Sequence, residues 1–174
     1  ANEDVSFCIM PNTVHSIIGE NGAGKTTLMK ILFGIYHQDS GSVLINGNPV
    51  SFKNPLDAIK NRIGMVHQHF ELIDDFTVLE NIVLGDEITE YGFLNLKASA
   101  QILIDIIAKY NLGINLNDKV ADISISEKQK IELLKLLYRK SDILIFDEPT
   151  AVLSPIQVNE FFKIVRKFKD EGKT

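Results

Sequence analysis

GENGAGKTT occupies residues 19–27, between the apolar stretch TVHSII and the stretch LMKILFG. Gly19, four further residues and then Gly24, Lys25 and Thr26 form the spacing of a phosphate-binding loop, which joins a strand to a helix. Glycines let the backbone curl so that several N–H groups face one anion, and the helix start adds its positive end. The stretch predicts an α/β phosphate-loop fold. The plainer alternative is a flexible glycine loop before an ordinary helix.

The side chains of this loop have expected partners on a bound nucleotide. Lys25 is expected to reach the β- and γ-phosphates, the Thr26 hydroxyl to bind Mg²⁺, and Thr27 to touch the α-phosphate. Nucleotide contacts are predicted for Gly19, Asn21, Gly22, Ala23, Gly24, Lys25, Thr26 and Thr27. The predicted cofactors are ATP and Mg²⁺.

A second element, ILIFDE at residues 143–148, supplies the acidic groups that such a loop needs. A phosphate-loop enzyme holds its Mg²⁺ with a carboxylate at the tip of a neighbouring strand, and Asp147 is that candidate. Glu148 follows it and could act as the general base that polarises the attacking water. The alternative is an acidic pair that ends a strand or caps the next helix.

Composition limits the class of protein. The 174 residues suit one domain with its own core, and 45% of them are apolar. The net charge of −5 argues against a nucleic-acid surface, where basic patches are expected. One cysteine, Cys8, fits a reducing compartment. Because the chain starts at Ala1 and ends with EGKT after a helical pattern, we expect it to be a piece of a longer polypeptide.

Periodicity and turn residues predict the strands. DVSFCIM (4–10) and TVHSIIG (13–19) are typical of two short strands joined at Pro11-Asn12. GSVLINGNPV (41–50) predicts a strand that ends in a turn at Asn46-Gly47. A further strand is predicted at residues 62–67. ILIF (143–146) is typical of a strand buried on both faces of a parallel sheet.

Four helices are also predicted besides the one after the phosphate loop. Residues 55–61 form a short one with Asn54 as its cap. Apolar residues at helical spacing predict three more: Leu96, Ala100, Leu103, Ile104 and Ile107 in the first; Ile131, Leu134, Leu137 and Tyr138 in the second; Val158, Phe161, Phe162, Val165 and Phe168 in the third.

With both motifs in view, almost the whole chain resembles the nucleotide-binding domain of ATP-binding-cassette (ABC) transporters. GENGAGKTT resembles their Walker A loop, and ILIFDEPT (143–150) resembles their Walker B strand with its catalytic glutamate. The resemblance implies an α/β phosphate-loop core of the ABC type, with a small antiparallel β part and an inserted α-helical subdomain. Residues 1–69 would be ATP-binding core, 70–140 the helical subdomain, and 141–174 the continued core.

Gln68, in MVHQHF, falls where this family has its Q-loop glutamine. The resemblance implies that Gln68 contacts Mg²⁺ and the attacking water and reports the nucleotide state to a membrane subunit. Taken alone, Gln68 is a polar loop residue after a strand. The catalytic residues predicted in this way are Lys25, Gln68 and Glu148, and the Mg²⁺ ligands Thr26, Gln68 and Asp147.

Two stretches narrow the branch of the family. HQHF (67–70) and PTAVLSP (149–155) resemble the ATPases of bacterial simple-sugar and nucleoside importers. Most ABC domains have SALD after Walker B, whereas Ser154 takes the Asp position here.

The resemblance implies ATP hydrolysis that drives solute uptake, at the cytoplasmic face of a bacterial inner membrane. It implies a fused second ATPase domain, transmembrane permease subunits and, indirectly, a solute-binding protein. The family's switch histidine and adenine-stacking aromatic would lie outside this chain.

The signature motif departs most from the family. Where ABC domains have LSGGQ, this chain has Ile123-Ser124-Ile125-Ser126-Glu127. In the family, this helix start meets the γ-phosphate of ATP bound to the opposite domain. Ser124 is retained, but both glycines are replaced, and Glu127 puts a negative charge near the expected phosphate. The alternative is an ordinary helix cap with Ser124 or Ser126 at the N-cap. We expect an asymmetric pair in which the site on this Walker A hydrolyses ATP and the opposite site is slow.

Other functions stay open. The chain could be a regulatory nucleotide-binding half with little hydrolysis, or a soluble ABC ATPase that acts on ribosomes or DNA. A phosphate-loop kinase is disfavoured, because no stretch resembles a phosphate-acceptor site. The four histidines, His15, His37, His67 and His69, have no spacing typical of a structural metal site. On its own, this piece is expected to hydrolyse ATP poorly.

Overall fold

The computed structural model describes residues 2–174 and separates the chain into two compact units. The first unit contains the residues up to Met65, residues 141–147 and residues 165–174. The second unit contains residues 66–140 and 148–164. Helices and short strands alternate along the chain, as the sequence predicts for an α/β protein.

A β-hairpin forms around the predicted Asn46-Gly47 turn. Strands β1 (Val43–Ile45) and β2 (Asn48–Val50) pair antiparallel across it. Asn46 has φ 51° and Gly47 has φ 78°. Positive φ at both central residues matches the right-handed twist of the flanking strands, so this two-residue turn closes the hairpin without splaying it. The predicted turn is confirmed, and the chain continues past it as a second strand.

The two helices of the first unit start as predicted. Helix α1 (Lys25–Leu32) follows the phosphate loop directly. Helix α2 (Pro55–Lys60) has a proline at its first position, where the missing N–H costs nothing. The Asn54 side-chain oxygen accepts from the Asp57 N–H at 3.2 Å, which confirms the predicted cap.

Strand β3 (Ile63–Val66) pairs with β6 (Ile143–Phe146). The Arg62 carbonyl accepts from the N–H groups of Asp142 and Ile143, at 2.7 and 3.1 Å, so both strands start at the same end and run in the same direction. The expectation that β6 is buried on both faces was wrong. Within the described residues this sheet has two strands, and Ile145 is the one buried side chain of β6.

The core of the first unit lies where α1, α2, the hairpin and the two paired strands meet. Met29 and Leu32 of α1 pack against it. Its buried members are Phe33, Phe52, Ala58, Ile63, Met65 and Ile145. This packing holds the end of β6 and the start of α1 within one unit.

The two strands predicted before the phosphate loop are not formed. Residues 5–10 and 13–19 run without ladder partners among the described residues, although the chain does turn at Pro11-Asn12 and the rings of Phe7 and His15 stack at 6.1 Å. Ile18 is 92% exposed. Strand preference reflects how well side chains fit a half-buried pleated surface, and among the described residues nearly all of this segment is exposed.

The second unit consists mainly of helices. Its chain includes α3 (Val78–Val83), β4 (Thr89–Glu90), β5 (Phe93–Leu94), α4 (Leu96–Tyr110), a 3₁₀ turn (Val120–Asp122) and α5 (Ile125–Tyr138). The side chains of Ile82, Leu103, Ile131 and Leu134 are fully buried among these helices. The Tyr138 hydroxyl donates to the Ser99 Oγ at 2.9 Å, so these two buried hydroxyl groups of α5 and α4 satisfy each other.

Two predicted apolar faces are only partly buried. In α4, Leu103 is buried but Ile104 is 51% exposed. In α6 (Pro155–Asp170), Phe161, Val165 and Phe168 are buried while Phe162 is 43% exposed. In each helix, the neighbouring described residues bury fewer apolar side chains than the sequence pattern predicts. Across residues 2–174, the helices are too short or too polar to cross a bilayer.

Candidate nucleotide-binding site

The predicted phosphate loop curls tightly at two of its glycines. Gly22 and Gly24 have φ 85° and 92°, values that favour glycine, and the Ala23 N–H donates to the Glu20 carbonyl at 3.2 Å. A Cβ at Gly24 would also collide with the Asn2 side chain. The loop curls tightly and then enters α1 without an intervening residue.

The start of α1 is left open. Gly24 takes the N-cap position, and within the described residues no side chain caps the helix and its first turn holds no acidic residue. The first backbone N–H groups of a helix have no intrahelical acceptor and carry the positive end of the helix dipole. Phosphate oxygens are suitable partners for these groups.

Lys25 lies over the loop that precedes it. Its Nζ donates to the carbonyls of Gly19 at 2.7 Å and Glu20 at 2.9 Å. An ammonium group has three N–H donors, so two of them orient the side chain and one remains for a ligand. The residues of this loop therefore fit a polyphosphate.

Asp147 and Thr26 meet at the end of β6. The Thr26 hydroxyl donates to Asp147 Oδ1 at 3.0 Å, and Asp147 is 6% exposed. Mg²⁺ prefers oxygen ligands, usually one or two carboxylates together with substrate phosphates. A hydroxyl and a carboxylate brought together beside the phosphate loop fit this ion, and residues 121 positions apart in sequence supply them.

Gln68 and Glu148 also come together, both in the second unit. The Gln68 Nε2 donates to Glu148 Oε2 at 3.1 Å. Gln68 lies two residues after β3, and Glu148 follows Asp147 directly, with an exposed side chain. Glu148 has φ 49°, a left-handed conformation that is uncommon for a non-glycine residue and needs support from its surroundings.

The signature stretch forms an ordinary helix start. Ser124 is the N-cap of α5, which decides between the two cap candidates, and Ser126 lies half-buried in the first turn. The Ser124 Oγ and N–H both donate to Glu127 Oε2, at 2.6 and 2.8 Å, and Ser124 Oγ accepts from the Glu127 N–H at 3.3 Å. These bonds from the Ser124 side chain and backbone lower the pKa of Glu127 below its ordinary value. The carboxylate thus occupies the helix start.

The departure at Ser154 also has a structural role. The Ser154 N–H donates to Gln157 Oε1 at 2.9 Å, just before α6 begins at Pro155. The Ser154 Oγ accepts in return from the Gln157 N–H at 3.5 Å. Such a reciprocal pairing of a serine with a glutamine three residues later is typical of a helix N-terminus. Ser154 therefore helps to start α6.

One of the four histidines lies near a carboxylate. The His67 Nε2 lies 3.9 Å from Glu71 Oε1. Within residues 2–174, no three His, Cys, Asp or Glu side chains gather in an arrangement that could hold a metal ion.

The sequence interpretation missed two polar contacts of α5. Gln129 is 6% exposed and donates from Nε2 to the Pro149 carbonyl. Lys128 Nζ pairs with Asp74 Oδ1 at 3.0 Å. Polar residues inside a helical run seldom predict a tertiary partner, although a glutamine among buried positions was a usable signal.

The loop, the open helix start and the strand-end carboxylate define the class of phosphate-loop nucleotide-binding proteins. Comparisons with known proteins then identify the family. The family model described as ABC transporter matches residues 2–151. The chain belongs to this family.

Curated relatives agree with this assignment. The guanosine import ATP-binding protein NupO of Bacillus subtilis is 45% identical over 174 residues, covering 100% of this chain and 34% of that protein. The galactose/methyl galactoside import ATP-binding protein MglA of Fusobacterium nucleatum is 40% identical, covering 99% of this chain and 34% of its own length. The chain thus spans about a third of the length of these relatives.

A solved structure supports the fold. The nucleotide-free ATP-binding cassette of an ABC transporter superposes with a TM-score of 0.81 at 23% identity, over 95% of this chain and 70% of the cassette. The predicted ABC-type α/β fold is confirmed.

Proposed function

We propose that this chain is the ATP-hydrolysing domain of an importer for a simple sugar or a nucleoside. The observation that carries the proposal is the Thr26–Asp147 contact at 3.0 Å, beside a phosphate loop with an open helix start. Relatives named for guanosine import and for galactose/methyl galactoside import, at 45% and 40% identity, support the kind of solute.

The residues of the loop would bind and orient the nucleotide. Lys25 and the N–H groups at the start of α1 would neutralise the β- and γ-phosphates, in positions set before the reaction begins. Thr26 and Asp147 would hold Mg²⁺, with Gln68 as a further ligand. When bound, this ion neutralises charge that develops on the phosphoryl group.

Glu148 and Gln68 would orient the attacking water. Their contact at 3.1 Å supports a joint role, because one water molecule could lie within hydrogen-bond reach of both the carboxylate and the amide. Water held in line with the γ-phosphate would lose a proton to Glu148 as it attacks. Lys25, Gln68 and Glu148 are therefore the proposed catalytic residues.

The proposed partners follow from the proposed function as an importer. A second ABC ATPase domain, fused in the full protein, would complete the site, and transmembrane permease subunits would couple hydrolysis to transport. A solute-binding protein would deliver the solute. The whole assembly would place this domain at the cytoplasmic face of a bacterial inner membrane, with no nucleic-acid partner.

We also propose that the two ATP sites of such a pair are unequal. A functional signature would offer an open helix start to the opposite ATP. At α5, the Glu127 carboxylate already accepts two bonds from Ser124, so a phosphate would meet like charge there. The site on this chain's own loop would hydrolyse ATP, and the opposite site would be slow.

The test uses the full-length protein assembled with its permease subunits in membranes. Labelled galactose and guanosine uptake and ATP hydrolysis are measured for the wild type and Glu148→Gln. Loss of both activities in the variant supports an importer whose hydrolysis depends on this site. Normal hydrolysis without uptake of either solute would contradict import of these two solutes and favour a non-transport ATPase, and unchanged hydrolysis in Glu148→Gln would favour a regulatory half.

A further inference from the structure

A buried amide of α5 holds the turn that carries Glu148. Gln129 donates from Nε2 to the carbonyl of Pro149, the residue that follows Glu148. Gln129 is 6% exposed, so bulk water is poorly placed to replace this bond. Proline has no N–H, and its carbonyl is therefore the one backbone group through which residue 149 can be held.

The backbone at this turn needs such support. Glu148 has φ 49°, a conformation that a non-glycine residue keeps only where the surrounding structure enforces it. The Glu148 carbonyl accepts from the Ala151 N–H at 3.2 Å, which closes a turn over residues 148–151. The Gln129 bond to Pro149 fixes the orientation of a peptide group inside that turn.

The same helix also anchors the segment that follows Gln68. Lys128 Nζ pairs with Asp74 Oδ1 at 3.0 Å, and Lys135 Nζ donates to the Glu71 carbonyl at 3.3 Å. Helix α5 thus contacts the chain just after both members of the Gln68–Glu148 pair. A shift of this helix would change the geometry of that pair.

We propose that Gln129 is a positioning residue for ATP hydrolysis: it holds the Pro149 peptide so that the Glu148 carboxylate faces the Gln68 amide at 3.1 Å. This inference rests on the proposed role of Glu148 as general base. Gln129 would not touch the nucleotide. It would affect the chemical step through Glu148, and leave ATP binding at the phosphate loop unchanged.

The experiment replaces the donor without changing the length of the side chain. Gln129→Met in the full-length protein is compared with the wild type for kcat, KM for ATP, and nucleotide affinity. Because a misplacement of about 1 Å can cost a hundredfold in rate, we expect the Glu148-dependent part of kcat to fall about tenfold or more. KM and nucleotide affinity should change less than about twofold, as for an interaction used only in the transition state.

A control on the same helix separates positioning from stability. Tyr138→Phe removes another buried hydrogen bond of α5, the one to Ser99, far along the helix from Pro149. It should lower the melting temperature as much as Gln129→Met does, but leave kcat within about twofold of wild type. If both variants lower kcat equally, Gln129 serves the fold alone and the inference is wrong. Gln129→Asn, which shortens the reach by one methylene, provides the same test if the methionine variant does not fold.

The double variant decides whether the effect passes through Glu148. In a Glu148→Gln background, Gln129→Met should cause little further loss, because residues that act as a unit are not additive. A full further loss would overturn the inference. If Glu148→Gln itself leaves kcat unchanged, the proposed role of Glu148 fails. If Glu148→Gln abolishes turnover but the single variant Gln129→Met keeps the kcat of the wild type, only the inference about Gln129 fails.

Discussion

Helices α1 and α5 begin in opposite ways. The first turn of α1 follows Gly24 and carries neither a capping side chain nor an acidic residue among the described residues. The first turn of α5 is capped by Ser124 and filled by the Glu127 carboxylate. The positive end of the dipole lies at the start of each helix, but the start of α1 has no anionic side chain in its first turn whereas the start of α5 is occupied by the protein's own anion.

A third helix start clarifies the comparison. Helix α3 has the same capping arrangement as α5, with Thr77 N–H and Oγ1 donating to Glu80 Oε2 at 2.8 and 2.7 Å. The corresponding bonds from Ser124 to Glu127 are 2.8 and 2.6 Å. The signature of this chain is therefore built like an ordinary capped helix. A capping side chain stabilises a helix and at the same time removes its anion site.

The largest expected effect comes from Lys25→Ala. Loss of the ammonium that lies over the phosphate loop removes a preorganised positive charge, so ATP turnover should fall about 10³-fold. Steady-state hydrolysis by the full-length protein measures it. Lys30→Ala serves as the control, since Lys30 lies on the same helix and contacts the Tyr36 ring instead. Equal losses of turnover in both variants would show that α1 tolerates neither substitution. The effect of Lys25→Ala would then give no evidence that the start of α1 binds phosphate.

Asp147→Asn should have the next largest effect. Removing the negative charge that accepts from Thr26 weakens a predicted Mg²⁺ site, and we expect about a 10²-fold loss of turnover. Titration with Mg²⁺ should also require a higher concentration for half-maximal rate. Asp142→Asn is the matched control just before β6, where Asp142 pairs with Arg62 at 3.0 Å. An unchanged Mg²⁺ requirement in Asp147→Asn would contradict the assigned ligand.

Glu127→Gln should have a small effect of opposite sign at the other ATP site. Neutralising the carboxylate reduces repulsion of a phosphate at the start of α5, and the affinity of that site should rise about threefold. Nucleotide-binding stoichiometry and affinity in the full-length protein measure it, and Glu80→Gln at α3 is the control. If affinity falls instead, Glu127 contributes to nucleotide binding and the proposed inequality of the sites is wrong.

The smallest expected effect is on stability at acid pH. Ser124 holds the pKa of Glu127 below its ordinary value of 4.5, so the ionised carboxylate stabilises the folded state at higher pH. This contribution is present above pH 4.5 and is lost as the pH falls through the lowered pKa. Urea unfolding of the wild type and Glu127→Gln should therefore differ at pH 7 and converge in acid. A constant difference at every pH would exclude this linkage.

Local signals in the sequence predicted part of the fold well. The Asn46-Gly47 turn, the Asn54 cap and helices α4 and α5 appear where the residue pattern indicates them. These elements depend on contacts between residues a few positions apart. The strands predicted over residues 4–19 did not form, because a strand needs hydrogen-bond partners that its own sequence does not supply.

The candidate site likewise combines a feature that local sequence determines with contacts that only tertiary structure creates. The spacing of residues 19–27 determined a curled backbone followed by a helix, because only φ and ψ preferences and the helix start are needed for it. Tertiary structure alone decided that Asp147 meets Thr26, that Gln68 meets Glu148, and that Gln129 holds Pro149. Each of these contacts joins residues 20 or more positions apart. They form because packed helices and strands bring distant segments together, which no local preference can encode.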